Sequence, residues 1–134
     1  MATSSIKYIH PLRTNAIHNR SGNSLNTDAP IDNHGLGEFF SPTDLAATSL
    51  ASCMFTVMGI YADQNNLELG EIECDLTKEM AANPRRIKAI TIDINWKTNL
   101  PENEIQNLKK IGLNCPVAKS LHPDIEQNVN FKML

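Results

Sequence analysis

The run from Leu45 to Ala62, LAATSLASCMFTVMGIYA, carries no charge, and any fold of this chain has to provide cover for it. It reaches the minimum length of a membrane-crossing helix. Much of it is Ala, Ser, Thr, Gly and Cys, however, and Asp44 and Asp63 close it at both ends. A helix apolar on nearly all sides also suits the buried centre of a soluble domain, and that is the reading adopted. Ser41-Pro42 marks the start: the hydroxyl can cap the helix, proline is preset for the first turn, and Asp44 lies near the positive helix end. The helix is expected to run to about Gln64, roughly 35 Å at about 1.5 Å per residue.

Strand signals flank this hub. Before it, Ile6–Ile9 and Arg13–His18 read as strands, and a turn at Ser21-Gly22-Asn23 returns the chain through Ser24–Thr27 as a hairpin. Asp28 to Gly37, DAPIDNHGLG, is dense in turn residues and is expected to be an irregular loop. After Gly70 the period becomes two. Ile72, Cys74 and Leu76 share one face of Glu71–Lys78, and Ile90, Ile92, Ile94 and Trp96 share one face of Arg86–Lys97, with Asn83-Pro84 turning between them. A second helix after Pro101 should carry Ile105, Leu108 and Ile111 inward and end near Gly112. Asn114 is suited to cap a short third helix with Pro116 in its first turn, and Asn128–Met133 forms a last strand.

A single domain spanning residues 1–134 is expected, since 134 residues with 41% hydrophobic side chains can bury one core without disulfides or a structural metal. A net charge of -3 gives no basic surplus for phosphates, so neither nucleic acid nor an anionic membrane is an expected partner. The three cysteines are widely spaced, and the N-terminus has no apolar signal stretch, which together point to a reducing cytoplasm. Zinc, nucleotide and serine-hydrolase signatures are missing, so no metal and no cofactor is expected.

Chemistry then rests on the thiols. Cys53 sits mid-helix, where burial raises a thiol pKa and reactivity requires a nearby cation that its sequence neighbours do not supply. Cys115 differs, because a cysteine in the first turn of a helix meets unpaired backbone N–H groups that favour its thiolate. Cys74, between Ile72 and Leu76, reads as core. Met54 and Met58 stand four apart beside Cys53 and serve either core packing or the lining of an apolar pocket, to which Phe39 and Phe40 at the helix entrance also belong.

The segment TDAPIDNHGLGEFFSPTDLAATSLASCMFTVMGIYA, residues 27–62, followed by NCPVAKSL, 114–121, resembles the osmotically inducible C and organic hydroperoxide resistance (OsmC/Ohr) family. The resemblance implies an α+β fold, a long central helix packed against antiparallel sheets, in an intertwined homodimer. It further implies a two-cysteine thiol peroxidase, with Cys53 attacking an organic hydroperoxide or other small apolar substrate. Cys115 would then capture the sulfenic acid as a disulfide, and a dithiol reductant would restore both thiols. An arginine from the N-terminal strands is implied beside the reactive sulfur: Arg20 is the best positional match and Arg13 the runner-up. The chain departs from the family's peroxidase pattern, Asn-Pro-Glu, at Ser41-Pro42-Thr43, which removes the arginine's expected carboxylate partner. Asp44, one residue on, is turned about 100° away on a helix. That departure leaves open a member that binds a small ligand or acts as a redox switch without turnover.

Overall fold

A computed structural model describes all residues from Met1 to Leu134. The elements are, in order, β1 (Ser4–Ile9), β2 (Arg13–His18), β3 (Ser24–Asp28), a short 3-10 turn (Ile31–Asn33), α1 (Pro42–Gln64), β4 (Glu71–Ala81), β5 (Arg86–Lys97), α2 (Glu102–Leu113), α3 (Pro116–Ser120) and β6 (Glu126–Met133). The fold is α+β, with two three-stranded sheets in the orders β1-β2-β3 and β4-β5-β6. The chain divides into two compact units, Met1–Ala46 and Ala47–Leu134.

In the first unit the sheet is antiparallel throughout, and its register follows from the expected turn. Gly22, at φ 79°, takes a left-handed conformation that other residues resist, and Ile17 then pairs with Ser24 and Arg13 with Asp28. Alternation splits the sheet into two faces. One carries Ile6, Tyr8, Ala16 and Leu25; the other carries Arg13, Asn15, Asn26 and Asp28. Ile6 is 68% exposed and Tyr8 59% exposed, so the apolar face is open in the single chain. The loop after β3 is less irregular than its composition suggested, because Asp28 still belongs to the strand and Asn33 and Gly35 both donate to the Pro30 carbonyl.

The α1 helix starts as its sequence signals. Ser41 Oγ accepts from the Asp44 N–H at 3.0 Å, and Asp44 Oδ2 accepts from the Ser41 N–H at 3.1 Å, a reciprocal capping box. In the second unit Ala47, Leu50, Ala51, Met54, Met58 and Ala62 form a buried stripe at helical spacing. By length and composition α1 could cross a membrane. Its stripe is nevertheless occupied by protein, since a Cβ on Gly112 of α2 would meet Met58 Sδ at 2.9 Å and Met54 Cε at 3.7 Å. Tyr61 Oη also donates to Glu104 of α2 at 3.3 Å.

The second sheet differs from the expectation of antiparallel sheets. β4 and β5 are antiparallel, but β6 runs parallel to β5, because the chain reaches β6 by a crossover through α2 and α3. Ile90, Ile92, Ile94 and Trp96 of β5 are buried. A register shift at Glu79/Met80 pairs Met80 with Ile87, re-phasing the strand so that Ile87 joins that apolar face. Trp96 satisfies its indole N–H with the Leu69 carbonyl at 2.7 Å. On β4, at the sheet edge, Ile72, Cys74 and Leu76 are only half-buried, so Cys74 is not the core residue its alternation suggested. On α2 Gly112 is buried and Ile111 half-buried, because only a residue without a side chain fits against Met58.

Candidate functional site

The second unit brings two thiols together. Cys53 is half-buried on the flank of the α1 stripe, one helical step beyond Leu50, while Cys115 is 1% exposed at the junction of α2 and α3. The Cys53 thiol is close enough to Cys115 to influence it, and all three cysteines are free. Cys115 is itself the cap of α3, with extended backbone angles and its Sγ accepting from the Ala118 N–H at 3.4 Å. The cap was expected at Asn114. That residue instead closes α2, its N–H bonding back to Ile111 and its side chain donating to the Lys110 carbonyl at 2.8 Å, because the chain leaves the helical region one residue later than Asn-Cys-Pro suggests. Burial pushes the Cys115 thiol up; the Ala118 N–H pulls it down, and the neighbouring Cys53 thiol raises it again. The net direction is upward, so the expected helix-end activation of Cys115 is outweighed by desolvation.

The first unit holds the second cluster. Arg13 stands opposite Asp28 in the β2–β3 register, and its Nε and Nη2 donate to the two Asp28 oxygens at 2.7 and 2.9 Å. This is a bidentate pair with a carboxylate that is 1% exposed. Nη2 also donates to Glu38 Oε2 at 3.1 Å, and the Glu38 N–H donates to Asp28 Oδ2 at 3.0 Å. The Phe39 ring lies 4.8 Å from the guanidinium. The Arg13 hydrogen bond holds the Asp28 carboxyl below its usual range, against the opposing effect of burial, and the two carboxylates keep Arg13 more firmly protonated than usual. Beside this cluster an open groove of about 680 Å³ is lined by Asn15, Leu25, Asn26, Glu38, Phe39 and Phe40, among others.

A family profile described as OsmC-like protein matches residues 35–130. The chain belongs to the OsmC-like family. A solved structure from Psychrobacter arcticus 273-4, provisionally named for osmotic stress induction and detoxification response, is 48% identical over 98% of this chain and 96% of that one, with a TM-score of 0.93. The organic hydroperoxide resistance protein OsmC of Legionella pneumophila shares the fold at a TM-score of 0.76 and 16% identity, covering 98% of each chain. OhrB of Bacillus subtilis, an organic hydroperoxide resistance protein, shares it at 0.65 and 18%, again over 98% of each chain. No curated protein matches the sequence.

Within this OsmC-like chain the residues singled out from sequence fall in different surroundings. Cys53 and Cys115 are neighbours in the second unit. Arg20, the first choice for a cation, is exposed in the turn between β2 and β3, whereas Arg13 is held by two carboxylates. The partner expected at position 43 is thus supplied to Arg13 from Asp28 and Glu38, and Asp44 is engaged with the Ser41 cap. Asp28 and Glu38 were missed in the sequence. The hairpin register held the signal for Asp28, since a turn at residues 21–23 sets it opposite Arg13. Phe39 and Phe40 line the groove, 42% and 54% exposed. Met54 and Met58 are fully enclosed against Gly112 and offer no surface to a ligand in the single chain.

Proposed function

We propose that this protein is a cytoplasmic two-cysteine thiol peroxidase for organic hydroperoxides, its residues 1–134 working as one OsmC-like domain within a homodimer. The observation that carries the reading is that the Cys53 thiol is a neighbour of the Cys115 thiol, both of them free. The Cys53 thiolate attacks the terminal peroxide oxygen, the O–O bond breaks, and the alkoxide leaves and takes a proton as the alcohol. The resulting Cys53 sulfenic acid is attacked by Cys115; water leaves and a disulfide forms. A dithiol reductant then returns both thiols and becomes a disulfide itself.

The order of roles follows from burial. Cys115, enclosed and with its pKa pushed up, is poorly suited to meet a diffusing peroxide, while the half-buried Cys53 is better placed. Of the two arginines that the family resemblance offers as the activating cation, Arg13 is the better candidate, because Asp28 fixes its guanidinium in orientation; Arg20 in its exposed turn has no such restraint. The homodimer is supported by the open apolar face with Ile6 and Tyr8, together with Ile60 on α1 at 50% exposure. A second reading, ligand binding or redox switching without turnover, is favoured by the two carboxylates already occupying Arg13.

Stoichiometric hydroperoxide followed by mass spectrometry separates these readings. A Cys53–Cys115 disulfide in the wild type, oxidised Cys53 in Cys115→Ser, and sustained peroxide consumption with a dithiol support the peroxidase. Unmodified Cys53 under conditions that oxidise a peroxidase control refutes it, and disulfide formation without turnover identifies the switch.

A further inference from the structure

Resting on that peroxidase reading, we infer that the reductant attacks the disulfide at Cys53 and expels Cys115, so that the mixed disulfide of each cycle is borne by Cys53 alone. Thiol–disulfide exchange has two outcomes, decided by which sulfur is accessible and which leaves more readily. The two sulfurs here differ in both respects.

Access favours Cys53. An attacking thiolate must approach along the S–S axis from the far side of the sulfur it strikes. Cys115 is 1% exposed and hemmed in by its own helix cap and by Leu50, whose carbonyl lies 4.0 Å from Sγ. Cys53 is half-buried on a flank of α1 that carries the exposed Ile60 about two turns further on.

Access decides the direction, because burial raises the pKa of the Cys115 thiol and slows its departure, an effect offset in part by one local donor. When a reductant thiolate bonds to Cys53 Sγ, the S–S bond breaks and its electron pair goes to Cys115 Sγ. That sulfur already accepts the Ala118 N–H at 3.4 Å, a donor fixed by the backbone and aimed where the negative charge arrives. Expulsion of Cys53 would place the charge on a side chain in mid-helix, where the backbone N–H groups are already used within α1. The Cys115 thiolate takes up a proton to restore the thiol. The second thiol of the reductant, deprotonated, then attacks its own sulfur in the mixed disulfide and releases Cys53 as thiolate. Two thiols of the reductant become one disulfide, and one protein disulfide becomes two thiols.

The test uses the full-length protein oxidised to the intramolecular disulfide, once with hydroperoxide and once with diamide. Limiting glutathione is added, free thiols are quenched with N-ethylmaleimide, and peptides are mapped by mass spectrometry. The expected product carries glutathione on Cys53 and maleimide on Cys115, with the opposite isomer at least tenfold rarer. Glutathione mainly on Cys115, or equally on both, overturns the inference. A disulfide formed by diamide but not by hydroperoxide would sink the peroxidase reading while the mapping still decides the site of attack. No disulfide with either oxidant would overturn both. Ala118→Pro removes the N–H and should slow glutathionylation of the disulfide about tenfold, one hydrogen bond of roughly 1.4 kcal/mol, without moving it from Cys53. An unchanged rate in a variant with wild-type circular dichroism would show that the Ala118 N–H does not assist the leaving sulfur.

Discussion

Replacing Ser41 by alanine should destabilise the protein through one identifiable loss, the cap of α1. Its Oγ is the acceptor for the Asp44 N–H, and Ser41 is only 2% exposed, so water cannot easily take over. Cap removal costs about 0.5–2 kcal/mol in general, and burial places this site in the upper half of that range, about 1–2 kcal/mol. A chain of 134 residues unfolds with an entropy of about 0.3 kcal/mol per kelvin, so Tm should fall by about 4–7 °C. Circular dichroism at 222 nm, at one protein concentration for all variants, measures this with the contribution of any association held the same. Ser52→Ala is the control: it lies on the exposed side of the same helix, and its Tm should be unchanged or slightly raised, alanine being the better helix former. Asp44→Ala should also destabilise, and Ser41→Ala/Asp44→Ala together should cost less than the two added, because they break one reciprocal pair. A Tm loss under 1 °C for Ser41→Ala, or strict additivity, would refute the capping argument and free Asp44 for another role.

The Asp28 carboxyl has its pKa lowered chiefly by Arg13, so its contribution to stability is complete above the ordinary carboxylate value of about 4 and is lost as pH falls through the depressed value; Asp28→Asn should flatten the acid limb of a stability–pH curve measured in urea. Met58→Ala, at a fully enclosed position against α2, should cost about 2–5 kcal/mol in urea unfolding, and a smaller loss would mean that the α1–α2 contact relaxes freely. Cys74→Ala should leave hydroperoxide turnover unchanged and cost no more than about 1 kcal/mol, since the side chain is half-exposed on an edge strand; a loss of turnover with an intact fold would give Cys74 a chemical role. Sedimentation at micromolar concentration should find a dimer, and a stable folded monomer would show that the open face with Ile6 and Tyr8 is not a subunit contact.

Local chemistry was legible in the sequence wherever neighbours along the chain decide the outcome. The Ser41-Pro42 helix start, the end of α1 at Gln64, the hairpin at Gly22 and the bounds of β5 all follow from capping, turn conformation and hydrophobic period, which act within a few residues. The two cysteine blocks likewise carried the family resemblance. Only the tertiary structure decided how distant segments pair. β6 lies parallel to β5 because of the path taken by α2 and α3, and nothing in Asn128–Met133 states a direction. Cys115 rather than Asn114 caps α3, and its thiol is pushed up rather than down, because the desolvation there comes from packing around the junction and outweighs the local N–H groups. The carboxylates on Arg13 come from 15 and 25 residues away, beyond the reach of any short motif. Periodicity marked Cys74 as inward-facing, but whether an inward face is covered depends on the strand's place in the sheet, and β4 is at its edge. Sequence thus determined which residues are helical, extended or turned, since those preferences are short-range; folding determined which of them meet and how far each is removed from water, and these two quantities set the thiol chemistry.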